Sequence, residues 1–167
     1  MIKKFISSCH YDANIDIYNS GDVDIIKRIQ DILVNVQKDV LVLYGDTISN
    51  VDISEVLLHY NRSLKGISMT VWPLKMSYGL VEIGSDGTVE SFAEKPTLDK
   101  WINIGYFYIA KNYHNLLLKN ESFEEFLLQS VKEKSINAYK HHGVHITVNT
   151  ISELEDAQKN IKNIILD

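Results

Sequence analysis

The sequence has 167 residues, 45% hydrophobic and 23% charged, with a net charge of −5. A chain of this length forms one domain with a real core, and its acidic balance disfavours nonspecific contact with nucleic acid. No apolar run approaches the roughly 20 residues a membrane helix needs. The opening Met1 to Ile6 lacks a signal peptide's long apolar region, and Cys9 is the lone cysteine, so no internal disulfide forms and a cytoplasmic setting is expected. Cys9 itself reads as a small buried residue.

In chain order, Phe5–Cys9 and Ala13–Tyr18 read as two short strands around a turn at His10-Tyr11-Asp12. From Asp22 to Val36, Val23, Ile26, Ile29, Ile32 and Leu33 fall at helical spacing. The helix leads into Val40-Leu41-Val42-Leu43, a run that reads as a central strand buried on both faces. This β-α-β order implies a crossover and a parallel pairing. Tyr44-Gly45-Asp46 follows the strand, and in open α/β sheets ligands gather just beyond the carboxyl ends of such strands. A carboxylate at Asp46 could there hold a magnesium ion, Mg²⁺, against a phosphate; a plain turn is the alternative for an isolated Gly-Asp pair.

Asp52 and Glu55 are placed to open a helix as a capping box. Val56, Leu57, Tyr60 and Leu64 continue its apolar face, and Gly66 suits the position just past its end. Ile67–Trp72 alternates as a strand that Pro73 should stop. Tyr78–Ile83 and Thr88–Phe92 flank Ser85-Asp86-Gly87, a hairpin signal. After Glu94-Lys95-Pro96 comes a long strand, Trp101–Ile109, interrupted by Asn103 and Gly105. A glycine inside a strand often marks a close approach to the backbone. Helices are expected over 113–119 and 122–134, and strands over 136–140 and 144–148. Thr150-Ile151-Ser152-Glu153 is a capping box opening a last helix that carries Leu154, Ala157 and Ile161 on one side. Residues 1–167 therefore form one mixed, mostly parallel α/β domain with helices on both faces of a Rossmann-like sheet.

Taken together, these pieces resemble the sugar-phosphate nucleotidyltransferases. The resemblance is carried by Tyr44-Gly45-Asp46 with Val51-Asp52-Ile53, by Tyr78-Gly79, by Glu94-Lys95-Pro96, by Trp101-Ile102-Asn103-Ile104-Gly105-Tyr106-Phe107, and by His142-Gly143 leading to Asn149-Thr150. Within the family the pattern is most similar to the glucose-1-phosphate cytidylyltransferases, whose corresponding strand reads Trp-Ile-Asn-Gly-Gly-Phe-Phe. The resemblance implies a reaction in which a sugar 1-phosphate attacks the α-phosphorus of a nucleoside triphosphate and releases pyrophosphate. It implies Asp46 as the Mg²⁺ ligand and Lys95 as the cation at the sugar phosphate, with Glu94 at the sugar hydroxyls. Tyr78 and Gly79, with Asn103 and Gly105, would line the sugar site.

The pattern also departs from the family. Its Gly-rich triphosphate loop and first strand have no counterpart here, which implies an N-terminally truncated version of the fold. Where the family carries a second metal carboxylate before the residue matching Thr150, this chain has Asn149, whose carbonyl can ligate but brings no charge. The alternative to an enzyme is a catalytically weak relative that binds a sugar phosphate or sugar nucleotide, or a subunit completed by another chain. On either reading turnover by this chain alone is expected to be very low. Loss of the first strand further implies self-association or a completing chain, or else Phe5–Cys9 moved into the vacant slot.

Overall fold

A sheet can bury its two faces only if helices cover both, and the computed structural model, which describes residues 2–161, shows how this chain does so. The elements are helix α1 (Ile2–Ser8), helix α2 (Ile25–Leu33), strands β1 (Val40–Leu43) and β2 (Thr47–Ser49), helix α3 (Ile53–Ser63), strands β3 (Ile67–Lys75), β4 (Leu80–Ile83), β5 (Val89–Ala93) and β6 (Thr97–Ile109), helices α4 (His114–Lys119) and α5 (Phe123–Lys132), strands β7 (Ile136–Lys140) and β8 (His145–Thr147), and helix α6 (Ile151–Asn160). The expected domain's ends, at 1 and 162–167, lie outside the described residues.

The main sheet has four strands in the order β1-β6-β3-β7. β1, β3 and β7 run the same way; β6 opposes them, pairing antiparallel with β1 and β3, while β3 and β7 pair in parallel. This is the mixed sheet expected, but the parallel crossover pairing expected into β1 is not made: no strand precedes α2 among the described residues, and β1 pairs with the antiparallel β6. One face packs Ile67, Phe107 and Ile109 against Ile26 and Leu33 of α2, Leu117 of α4, and Phe123 and Phe126 of α5. The opposite face is covered by α3, whose Tyr60 ring meets Tyr108 and whose His59 ring meets Tyr139. Two small ribbons complete the fold: β2 with β8, and the β4–β5 hairpin.

Several expectations are corrected. Phe5–Ser8 is helical and Cys9 forms a bend; the backbone there is satisfied locally, and Ser7 and Ser8 donate to the carbonyls of Lys3 and Phe5. It therefore fills no slot in the sheet. Cys9 is exposed, and Ala13–Tyr18 forms no strand. β1 lies at the sheet edge rather than its centre. Its Val40 and Val42 pack on the core, whereas Leu41 and Leu43, on the opposite face, are 36% and 51% exposed. Pro73 does not stop β3; it sits opposite Trp101 beside an irregularity in the ladder, where a missing N–H costs little.

The caps follow the sequence in part. Thr150 and Glu153 form the full reciprocal box on α6. Asp52 accepts from the N–H groups of Ser54 and Glu55, without the return bond from the Glu55 side chain. The left-handed residue closing α3 is Leu64 rather than glycine. Gly66 is demanded instead by packing, since a Cβ there would lie 1.8 Å from Tyr113 Cε2.

Candidate active site

The carboxyl end of β1 delivers the chain to Tyr44-Gly45-Asp46. The Tyr44 N–H donates to the Gly105 carbonyl, and the Val148 N–H donates to the Asp46 carbonyl at 2.8 Å. Asp46 is thus anchored between the main sheet and the β2–β8 ribbon, one residue away from Asn149. The Asn149 N–H in turn donates to Glu153 of the α6 cap at 2.7 Å, which fixes the chain entering that helix.

Asn103 and Gly105 shape the other wall. The Asn103 side-chain carbonyl accepts from the Gly105 N–H at 2.9 Å and braces a left-handed glycine with φ +79. A Cβ on Gly105 would lie 2.4 Å from Tyr44 Cγ. The close approach anticipated at this glycine is therefore made by the Tyr44 ring, which also packs on Phe107 and Phe123. Burial raises the Tyr44 hydroxyl's pKa; a hydrogen bond from the Asn103 side chain opposes the rise, and the negative charge of Asp46 adds to it. Tyr44, Asp46, Asn103 and Gly105 accordingly form one group. Tyr44 was not singled out as a site residue from the sequence, although it opens the Tyr-Gly-Asp motif that drew attention to Asp46.

A second group sits at the base of the hairpin. A Cβ on Gly79 would lie 2.6 Å from the Phe92 ring and 3.1 Å from Glu94 Oε2, so the glycine lets the Glu94 carboxylate close over the chain. Tyr78 projects into solvent at 77% exposure. Lys95 holds φ +45 immediately before Pro96. A non-glycine residue in the left-handed region is uncommon, and such strain gathers at functional sites.

Among the described residues no side-chain hydrogen bond joins the two groups, and β6 sets their separation. Lys75 pairs with Thr97 and Val71 with Asn103, so six steps along β6 match four along β3. The Met76 N–H donates to the Pro96 carbonyl, which puts Lys95 near the level of Met76. Lys95 and Asn103 are then about 17 Å apart along β3, instead of the roughly 26 Å of a straight eight-residue run. The bulges draw the two groups toward each other.

A magnesium ion would find at Asp46 a single carboxylate, with Asn149 beside it as a neutral oxygen donor. Among the described residues no cluster of three or more His, Cys, Asp or Glu side chains is placed to hold a metal. Mg²⁺ is commonly held by one or two carboxylates with water and substrate phosphates completing its shell, and a lone carboxylate such as Asp46 suits that mode.

The Nucleotidyl transferase family model matches residues 10–161, and the chain is a member of that family. Among particular relatives, it is 30% identical over 124 residues to the "Probable glucose-1-phosphate cytidylyltransferase" of Bacillus subtilis (strain 168), a match covering 71% of this chain and 48% of that protein. The chain thus spans about half the length of that relative. Its fold is also that of HddC from Yersinia pseudotuberculosis, with a TM-score of 0.65, 17% identity, and coverage of 96% of this chain and 72% of the other. Among the described residues no helix is long and apolar enough to cross a membrane.

Proposed function

We propose that this chain belongs to a sugar-1-phosphate nucleotidyltransferase whose sugar phosphate is a hexose 1-phosphate and whose nucleotide is CTP. The observation that carries the reading is the group formed by Tyr44, Asp46, Asn103 and Gly105 at the carboxyl end of β1. The identity of the 30% relative supplies glucose 1-phosphate and the cytidylyl group as the first substrates to test.

A phosphate oxygen of the sugar 1-phosphate attacks the α-phosphorus of the triphosphate, a new P–O–P bridge forms, and the bond to the β-phosphate breaks to release pyrophosphate. Negative charge crowds at the reacting phosphates, and the protein's task is to position them and offset that charge. Asp46 and the Asn149 carbonyl would hold Mg²⁺, which would supply positive charge to offset that of the triphosphate. Lys95 offers a compact ammonium to the sugar phosphate, and Glu94, brought close by Gly79, accepts from sugar hydroxyls. Asn103 has its carbonyl committed to Gly105, so its amide N–H groups are what remain for the Tyr44 hydroxyl and the sugar.

The test is pyrophosphate release with glucose 1-phosphate and CTP, GTP, UTP or dTTP in the presence of Mg²⁺, using wild type and Asp46→Asn. Turnover by the chain alone is expected to be very low, so the reading predicts slow, CTP-dependent release by wild type that falls to the uncatalysed background in the variant. Release unaffected by the substitution would refute the role of Asp46.

A further inference from the structure

We propose that Lys140, propped on the ring of Trp101, binds the phosphate of the sugar phosphate beside Asn103; the inference rests on the sugar-phosphate reading of this site and extends it to a residue outside the family motifs. Its basis is the strand register. Val71 pairs with Asn103 on β6 and with Lys140 on β7, so the three residues form a row across the sheet and present their side chains to the same face. Trp101, two residues before Asn103 on β6, shares that face. The Lys140 Nζ stands 4.8 Å from the centroid of the Trp101 ring, and His142 packs on the same ring at 5.3 Å.

This arrangement sets a cation in place before any ligand arrives. An ammonium held over an indole gives up much of its rotamer freedom, so less is lost when it pairs with an anion. Among the described residues the ion pairs are Lys27 with Asp31 and Lys159 with Asp156, so Lys140 is not neutralised by a carboxylate. A bare ammonium in the same row as the Asn103 amide, on the far side of Val71, suits a phosphate monoester, which needs a point charge and hydrogen-bond donors on one side.

The fold supplies its own control. Lys75 also stands over a tryptophan, at 4.4 Å from the Trp72 centroid. Trp72 pairs with Ile102, so it faces the opposite side of the sheet from Trp101 and Asn103. The two Lys–Trp stacks are chemically alike, and only one of them shares a face with the candidate site.

Calorimetric titration of glucose 1-phosphate into the full 167-residue chain tests the assignment. Lys140→Gln should weaken binding about tenfold and make its salt dependence shallower, with the melting temperature unchanged because the side chain is exposed. Lys140→Arg should retain binding within about threefold, since the charge is kept. Lys75→Gln should bind as wild type does. Wild-type affinity in Lys140→Gln, or an equal loss in Lys75→Gln, would overturn the role of Lys140 while leaving the sugar-phosphate reading intact. Absence of binding by the wild-type chain would overturn both.

Discussion

Gly105→Ala is the most informative single substitution, because two separable costs meet at one Cβ. The residue has φ +79, where an L side chain pays about 1–2 kcal/mol, offset by about 0.4–1 kcal/mol for the reduced freedom of the unfolded chain. The added methyl would also lie 2.4 Å from Tyr44 Cγ, 2.5 Å from Cδ2 and 2.7 Å from Cβ, and these atoms cannot swing aside as a flexible side-chain end could. The ring is held by Phe107 at 6.0 Å and Phe123 at 6.4 Å between centroids, so moving it disturbs the core; overpacking of this kind costs about 1–3 kcal/mol. Together the terms give a loss of about 2–4 kcal/mol, or about 1–2 M in the urea midpoint if the slope is near 2 kcal/mol/M. In a Tyr44→Ala background the clash is gone, and the same glycine change should cost only about 1 kcal/mol. A midpoint for Gly105→Ala within about 0.2 M of wild type would refute the reasoning, as would equal costs in the two backgrounds.

Other outcomes follow from the same geometry. Gly66→Ala places a Cβ 1.8 Å from Tyr113 Cε2 on a segment whose N–H and carbonyl are bonded to Ser135 and Ala110, and should lower stability by about 1–3 kcal/mol in urea melts. Asp39 accepts from the Tyr108 hydroxyl at 2.7 Å and the Lys111 N–H at 2.8 Å, while burial first and Asp39 second push the Tyr108 hydroxyl up to about 12; in Asp39→Ala an ultraviolet titration should find it lower. Burial of His114 lowers its pKa below the ordinary 6.5 against the opposing pull of Asp39. The neutral form is therefore favoured in the fold, so its effect on stability is absent above 6.5 and destabilising as pH falls through the interval down to the folded value. Thermal melts of His114→Gln between pH 7.5 and 5 should show a flatter decline than wild type; an identical slope would count against it. His141 and His145, also lowered by burial, act in the same direction and persist in that variant.

What the sequence made legible was local chemistry. Helical spacing located α2, α3 and α5, the Asp86-Gly87 turn located the β4–β5 hairpin, and Thr150 with Glu153 located the start of α6. The motifs of the nucleotidyl transferases could also be read directly, because each is a short run. Illegible was anything decided by partners distant in the chain. Phe5–Cys9 has strand-like composition, yet a strand exists only where it pairs with another, and no ladder includes this segment. Val40–Leu43 is as apolar as a central strand; its place at the edge is decided by β6, which pairs with it from more than sixty residues later in the chain. Thr47–Ser49 becomes β2 only because β8, nearly a hundred residues later, pairs with it through Thr47 and Thr147, Ile48 and Ile146, Ser49 and His145. The place of Lys140 is of the same kind: an exposed lysine followed by two histidines carries no signal until Val71 sets it in a row with Asn103.

The most direct measurement of the central claim is an ¹H–¹⁵N NMR titration of the chain with glucose 1-phosphate. If the carboxyl end of β1 is the sugar-phosphate site, the backbone amides of Tyr44, Asp46, Asn103 and Gly105 shift together along one saturating curve, while those of α1 and the exposed face of α5 stay in place. Shifts confined to other parts of the chain, or a spectrum unmoved at millimolar ligand, would contradict the account.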